Sequence, residues 1–332
     1  MAPRTGILLY SGGLDSLLAA RILLDQGIEL IGLHFVLPFF SPHADPADTA
    51  AARQVARIGL SLRHIRCGRD YMDMVERPAH GYGKHINPCI DCKIFFLQRA
   101  REEMERAGAA FVATGEVVGQ RPMSQMRHML NHIEHASGLD GYLLRPLSAR
   151  LLKPTVAEDE GIVDRERLLD ISGRSRRRQM ELAARYEIED YASPAGGCLF
   201  TDANYERRLR DLFAHRPDYD LAAVYLLSVG RHFRLNERTR LIVARNEREG
   251  SALERARDSA DCLLVPDFKG PTALLTGDAD EATLALAGSI MLRYGRPEGI
   301  NAIQVFRRGD DPRTMTIARP IGEDELKRAA LA

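Results

Sequence analysis

The sequence predicts an α/β protein, a doubly wound parallel sheet followed by a second, smaller α+β domain. Three observations carry that expectation. Short apolar runs alternate with helix-period segments through the first half of the chain, the pattern of a parallel sheet covered by helices. A glycine-rich turn joins the first apolar run to the first helical segment. From about Ala157 the texture becomes polar and Arg-rich, and from Asp220 short β-prone runs are separated by turn residues.

The elements follow in order. Gly6 to Tyr10 reads as a strand, and Leu14, Leu17, Leu18, Ile22 and Leu23 recur at helical spacing. Ile28 to Phe35 reads as a second strand, Asp48 to Ile58 as an Ala-rich helix and Leu60 to Ile65 as a third strand. Cys92 to Ala107 has helical periodicity, with Ile94, Phe95, Leu97 and Met104 on or near one face, and Ala109 to Ala113 follows as a strand. Ligand loops are expected at the carboxyl ends of the strands. The Arg-rich stretch contains Arg174, Arg176, Arg177 and Arg178 and leads to a glycine turn at Ala195-Gly196-Gly197. Beyond it, Ala222 to Val229, Thr239 to Ala244 and Asp261 to Val265 are expected to be β-prone. The expected division is residues 1–215 and 216–332, with the folded part of the second ending near Ile321.

Composition narrows the function classes. The 332 residues are 45% apolar, enough for ordinary cores and incompatible with a disordered or fibrous chain. The longest apolar stretch, Ile28 to Phe40, is broken by Glu29, His34 and Pro38 and falls short of the roughly 20 residues that span a bilayer. No membrane partner is expected. The N-terminus lacks the charged and apolar regions of a signal peptide, so the expected compartment is the cytoplasm. Formal net charge is zero, which leaves any polyanion-binding surface to local clustering. Five cysteines with one C-x-x-C suit metal or redox chemistry in a reducing compartment rather than a disulfide framework.

Ser11-Gly12-Gly13-Leu14-Asp15-Ser16 lies between the first strand and the first helix. Backbone N–H groups and the positive end of the helix dipole favour an anion there. The glycines admit phosphate close to the backbone, and the serines add hydroxyl donors. There is no lysine, so this is not a Walker A loop. The hexapeptide matches the S-G-G-x-D-S loop of the PP-loop ATP pyrophosphatases, which cleave ATP between the α- and β-phosphates and transfer AMP to a substrate oxygen. The resemblance implies an adenine nucleotide alpha-hydrolase-like fold. Ser11, Gly12, Gly13 and Ser16 would hold the pyrophosphate portion, and Asp15 would meet it directly or through Mg²⁺.

Ala113-Thr114-Gly115-Glu116-Val117-Val118-Gly119-Gln120, followed by Ser124-Gln125, resembles the T-G-E-x-x-G-Q segment of 4-thiouridine synthetases. Thr114, Gly115 and Gln120 would face the same crevice. Arg145-Pro146-Leu147, Lys153-Pro154 and Gly173-Arg174-Ser175-Arg176 extend the match, which covers roughly residues 5–215. Arg145 and Lys153 read either as a loop anchor and a surface residue or, in the resemblance, as groups meeting phosphate or substrate. The implied reaction is ATP-dependent thiolation of a tRNA uridine, with 4-thiouridine as product and sulfide or a cysteine desulfurase as the sulfur source. A homodimer around one tRNA is compatible with it.

Asn87-Pro88-Cys89-Ile90-Asp91-Cys92-Lys93 opens the fourth helical segment, where a thiol pKa is expected to fall. Cys198 lies in Pro194-Ala195-Gly196-Gly197-Cys198, whose glycines would admit a bulky group. The arrangement is similar to that of cluster-dependent tRNA thiolases, in which three cysteines hold a 4Fe-4S cluster. That resemblance makes Cys89, Cys92 and Cys198 the ligands. Two alternatives remain open: a persulfide relay giving 2-thiouridine, or a structural zinc site with His85 as fourth ligand in a non-catalytic ATP- and RNA-binding protein. A small-molecule acceptor is a further alternative within the enzymes. Cys67 and Cys262 read as buried free cysteines.

Neither a THUMP nor a rhodanese domain is expected, since the phosphate loop begins at residue 11. Val224 to Arg234 and Val265 to Thr272 resemble the RNA-binding domain of NFACT-type proteins instead. Arg231, His232, Arg234 and Lys269 would be its phosphate-facing residues, beside Arg174, Arg176, Arg177 and Arg178 of the first domain.

Overall fold

The computed structural model describes residues 4–40, 45, 47, 50–189, 191, 198–257, 262–296, 299, 301–307 and 310–331. Two compact units emerge, Met1–Leu37 with His43–Cys198, and Pro38–Pro42 with Leu199–Ala332.

The first unit runs β1 (Thr5–Leu9), α1 (Leu14–Leu24), β2 (Glu29–Val36), α2 (Ala50–Arg57), β3 (Ser61–Arg66), α3 (Arg69–Glu76), α4 (Cys89–Ala107), β4 (Phe111–Thr114), α5 (Arg127–Ala136), β5 (Leu143–Leu144), α6 (Val156–Asp159) and α7 (Arg177–Arg185). Its five strands are all parallel, in the order β3-β2-β1-β4-β5. Alternate residues of β1 explain why helices lie on both faces. Leu8 packs into a core with Leu14, Leu17 and Leu18 of α1, whereas Ile7 joins Ile94 and Leu97 of α4 and Ile133 of α5. A strand buried on both faces must be apolar throughout, as Gly6-Ile7-Leu8-Leu9 is. The chain leaves β1 toward β2 on one side and has β4 on the other, with Leu9 opposite Thr114. That switch point opens a crevice at the carboxyl ends of β1 and β4. The doubly wound parallel sheet is as expected. Helices α3 and α5 had no counterpart in the sequence reading.

The second unit runs α8 (Ala203–His215), α9 (Leu221–Leu226), β6 (Arg231–Arg234), β7 (Arg240–Val243), α10 (Glu247–Arg255), β8 (Cys262–Pro266), β9 (Ala273–Thr276), α11 (Glu281–Tyr294), β10 (Ala302–Arg307), β11 (Arg313–Thr316) and α12 (Glu323–Ala329). Its strands form an antiparallel sheet in the order β11-β10-β8-β9-β7-β6. Leu284, Ala287, Ile290 and Met291 of α11 fill one core with Leu241, Leu264, Leu275 and Val305. Ala252 and Leu253 of α10 pack with Ile242, Leu263 and Leu274 in another. This is the expected α+β unit.

Two expectations change. Ala222 to Val229 is not β-structure: Asp220 accepts the Ala223 N–H at 2.8 Å and caps α9, whose Val224 and Leu226 are buried. The units also divide at Cys198/Leu199, earlier than the expected 215/216. The reason is that α8 is bonded into the second unit, where Arg208 Nη1 donates to the Leu227 carbonyl at 3.1 Å and Asp211 pairs with Arg234. Among the described residues, no helix is long and apolar enough to cross a membrane.

Candidate nucleotide and cysteine site

Everything in the candidate catalytic site belongs to the first unit. Gly12 takes φ +76°, which reverses the chain after β1, and Gly13 enters α1 in extended conformation without a side-chain cap. Ser16 Oγ donates to the Gly13 carbonyl at 2.8 Å and lies 3.4 Å from both Ser11 N and Ser11 Oγ. The serines therefore stiffen the loop while the helix start remains open to an anion.

The Thr114–Gln120 loop packs against this turn. A Cβ on Gly115 would lie 2.5 Å from both the Asp15 carbonyl carbon and the Ser16 nitrogen, so only glycine fits the approach. Gln120 Nε2 donates to Asp15 Oδ2 at 3.1 Å. Arg176 Nη2 stands 3.9 Å from Asp15 Oδ1, which is buried and has no hydrogen bond among the described residues. Ser11, Gly12, Gly13, Asp15, Ser16, Thr114, Gly115 and Gln120 are thus brought together. Arg176, assigned to RNA from sequence, joins them. Asp15, whose Oδ1 has no hydrogen bond among the described residues, could share its negative charge with a Mg²⁺ ion.

Glu116 was missed as a site residue. Its carboxylate accepts from Lys93 Nζ and from Arg145 Nε, the latter at 3.2 Å. Burial pushes this carboxyl upward, but the Lys93 and Arg145 cations more than offset it and hold it down at about 2. Arg145 also donates to Glu134 Oε2 at 2.7 Å and to the Leu130 carbonyl at 3.1 Å. The buried Arg145 therefore anchors the loop through Glu116, Glu134 and the Leu130 carbonyl. Lys153 is exposed, at the edge of a cavity of about 310 Å³ that Arg145 and Glu134 also line. The signal for Glu116 was its place in the strand-end Thr114–Gln120 motif.

Lys93 follows Cys92 directly, so the Lys93–Glu116 pair ties the cysteine helix to the nucleotide-side loop. Cys89 begins α4 after Pro88 and lies 3.5 Å from Ser124 Oγ. Cys92 Sγ lies 3.4 Å from Tyr71 Oη. The expected depression of thiol pKa fails for Cys92. Burial dominates and pushes its thiol up to about 12, the Tyr71 hydrogen bond opposes this, and repulsion from Cys198, Cys89 and Cys67 adds to it. The helix dipole loses because desolvation of a thiolate among Tyr71 and other thiols is the larger effect. The same couplings group Cys198 and Cys67 with the C-x-x-C thiols. Cys198 is exposed, and the glycine turn at 195–197 lies outside the described residues. Cys67 and Cys262 are buried. His85 is partly buried with φ +56°. Among the described residues, no three His, Cys, Asp or Glu side chains are arranged as a metal site.

The other basic candidates separate by partner. Arg177 pairs with Glu181 at 2.9 Å and Arg178 with Asp170 at 2.7 Å, while Arg174 is exposed. In the second unit, Arg234 Nε donates to the buried Asp211 at 2.9 Å, and fully buried His232 accepts no solvent contact, its Nε2 bonded to the Val229 carbonyl at 2.8 Å. Both are structural, because β6 turns them inward. Arg231 instead lies over the Tyr294 ring, 4.6 Å from its centroid, and Tyr294 is 37% exposed. Exposed Arg293 and Arg296 adjoin it, and Arg296 N donates to the carbonyl of exposed Lys269 at 2.8 Å. This cation and aromatic patch has the composition of a single-stranded RNA platform. Tyr294, Arg293 and Arg296 escaped the sequence reading because they end an apolar helix.

Residues 2–152 match the family described as Thiamine biosynthesis protein (ThiI). Residues 230–328 match the NFACT protein RNA binding domain. The tRNA-specific 2-thiouridylase MnmA of Acidithiobacillus ferrooxidans is 26% identical over 220 residues, which cover 64% of this chain and 58% of that protein. The MnmA of Nitratidesulfovibrio vulgaris is 34% identical over 121 residues, covering 33% of this chain and 34% of its own. The chain therefore spans less than two thirds of the length of these relatives. A crystal structure of a 4-thiouridine synthetase–RNA complex with bound ATP is similar at 22% identity and a TM-score of 0.34, over 54% of this chain and 50% of that one. The stretch that matches the ThiI description contains the phosphate loop, the C-x-x-C and the Thr114–Gln120 loop.

Proposed function

We propose that the protein is a tRNA sulfurtransferase that uses ATP to activate a uridine oxygen and replaces that oxygen with sulfur. The observation that carries the reading is the join between two chemistries: Gly115 seats the Thr114–Gln120 loop on Asp15 and Ser16, and the next residue, Glu116, holds Lys93 beside Cys92. A nucleotide at the Ser11–Ser16 turn and sulfur at the cysteines would then be held by one rigid loop, which fixes their geometry before reaction. The ThiI-family and RNA-binding matches support the same assignment.

The uridine oxygen attacks the α-phosphorus, the α–β anhydride bond breaks and pyrophosphate leaves. Backbone N–H groups of the loop stabilise the charge on the phosphates, and Asp15 would hold a Mg²⁺ ion that supplies further charge neutralisation there. A sulfur nucleophile then attacks the activated ring carbon, and AMP leaves with the original oxygen. The product we favour is 4-thiouridine. Cys89, Cys92 and Cys198 would hold a 4Fe-4S cluster whose free iron supplies a binding site for the transferred sulfur. The fit rests on the three thiols being near enough for their ionised forms to interact at Cys92, forms that a cationic metal centre would stabilise. Sulfide or a cysteine desulfurase supplies the sulfur, and the protein works on tRNA in the cytoplasm. The similarity to 2-thiouridylases favours a second reading, in which the same cysteines pass a persulfide without iron.

Incubating the full chain anaerobically with unmodified tRNA, ATP, Mg²⁺ and sulfide should yield AMP and a thionucleoside, identified by mass spectrometry of the digested tRNA. Failure to form either overturns the assignment. Cys89→Ala, Cys92→Ala and Cys198→Ala should each lose iron and thiolation together while retaining ATP binding. Full thiolation by rigorously iron-free protein would rule out the cluster.

A further inference from the structure

Asp91 sits between the two cysteines of the C-x-x-C, is buried, and has no place in the nucleotide chemistry. Its Oδ2 accepts the backbone N–H of His80 at 3.0 Å, and its Oδ1 lies 2.8 Å from His80 Nδ1. With the Nδ1 proton committed to a carboxylate, a neutral His80 presents the lone pair of Nε2 outward. His132 of α5 aims its own Nε2 at that atom from 2.7 Å, with the rings at 72° and their centroids 4.8 Å apart. Both histidines are exposed. His128 lies four residues earlier on α5 and is exposed, so successive turns of one helix face carry imidazoles.

We propose that His80 and His132 bind a divalent transition-metal ion, zinc being the type case, with Asp91 as the outer carboxylate that orients His80. A carboxylate behind the distal nitrogen is the recurrent support of a metal-bound imidazole. Zinc–nitrogen bonds of about 2.0–2.1 Å at a tetrahedral angle place two ligand nitrogens about 3.3 Å apart. The observed 2.7 Å opens to that separation by small rotations of two exposed side chains. Solvent completes the coordination. The ion would join three pieces of the first unit: the segment before α4, the first turn of α4 that carries Cys89 and Cys92, and α5. It uses none of the thiols and is independent of the sulfur-transfer reading.

The test uses the untagged full chain carrying Cys89→Ser, Cys92→Ser and Cys198→Ser, so that those thiols cannot capture the ion. After chelator treatment, calorimetric titration with Zn²⁺ should show one saturable equivalent. Titration with Co²⁺ should give weak visible bands without thiolate charge transfer. His80→Ala and His132→Ala should each weaken binding at least tenfold, and Asp91→Asn by about 10–100-fold. His132→Ala is decisive, since an exposed helical position tolerates alanine without unfolding, as an unchanged melting temperature will show. No saturable binding, or an affinity in the His80→Ala and His132→Ala proteins equal to that of the cysteine-free parent, overturns the site. Unchanged affinity in Asp91→Asn overturns the part given to Asp91.

Discussion

Replacing Glu116 with Gln preserves the shape of the side chain and removes its charge from between Lys93 and Arg145. Burial opposes ionisation of Glu116, yet the two cations hold it at about 2 against an ordinary 4.5. At about 1.4 kcal/mol for each pKa unit, the ionised network contributes about 3 kcal/mol to folding at neutral pH. Breaking a buried pair by removing one partner typically costs about 3–5 kcal/mol, because the remaining charge is stranded. A folded-state pKa below the unfolded one stabilises fully above about 4.5, and that stabilisation disappears as the pH falls toward 2. Wild type and Glu116→Gln should therefore differ by about 3 kcal/mol at pH 7 and by the same amount at pH 5.5, and the gap should close below pH 4.5. Urea unfolding followed by far-UV circular dichroism measures it, since the chain has no tryptophan for fluorescence. A gap under about 1 kcal/mol at pH 7, or one that persists unchanged to pH 3, would refute the reasoning.

Gly115→Ala should cost about 1–3 kcal/mol from the backbone overlap at Asp15 and Ser16, and AMP formation should fall about 100-fold through displacement of the loop; a variant with wild-type turnover would show that the approach is not functional. In metal-free protein, Cys92 should carry about a thousandfold less thiolate at pH 8 than a thiol of ordinary pKa 9.0. Peptide-mapped iodoacetamide labelling will then find Cys92 slow and accelerating as the pH rises, whereas rapid labelling at pH 8 contradicts the buried environment. Arg231→Ala and Lys269→Ala should each weaken RNA binding and lower its log–log salt slope by about 1, with melting unchanged. Arg234→Ala should instead destabilise the protein by about 3–5 kcal/mol through Asp211, and a purely RNA-specific defect there would reverse the assignment.

The alternation of buried strands and amphipathic helices, the phosphate turn and the C-x-x-C were legible in the sequence because each is local. Periodicity shows which face of Leu14 to Leu24 is buried, and a glycine turn between strand and helix already contains its anion-binding geometry. Long-range pairing is not local. That Gln120 reaches Asp15 across 105 residues, that Glu116 lies between Lys93 and Arg145, and that Arg176 comes to the nucleotide turn depended on how the strands were ordered. Burial decided the rest. Position at a helix start predicted a depressed thiol at Cys92, but the packing of Tyr71 and neighbouring cysteines reversed the sign. The Arg231–Arg234 strand held two similar cations whose sequence context could not separate them, and the fold sent Arg234 inward to Asp211 while laying Arg231 over the exposed ring of Tyr294. Charge and residue type were properties of the sequence; the dielectric and the partner that each charge meets belonged to the tertiary structure.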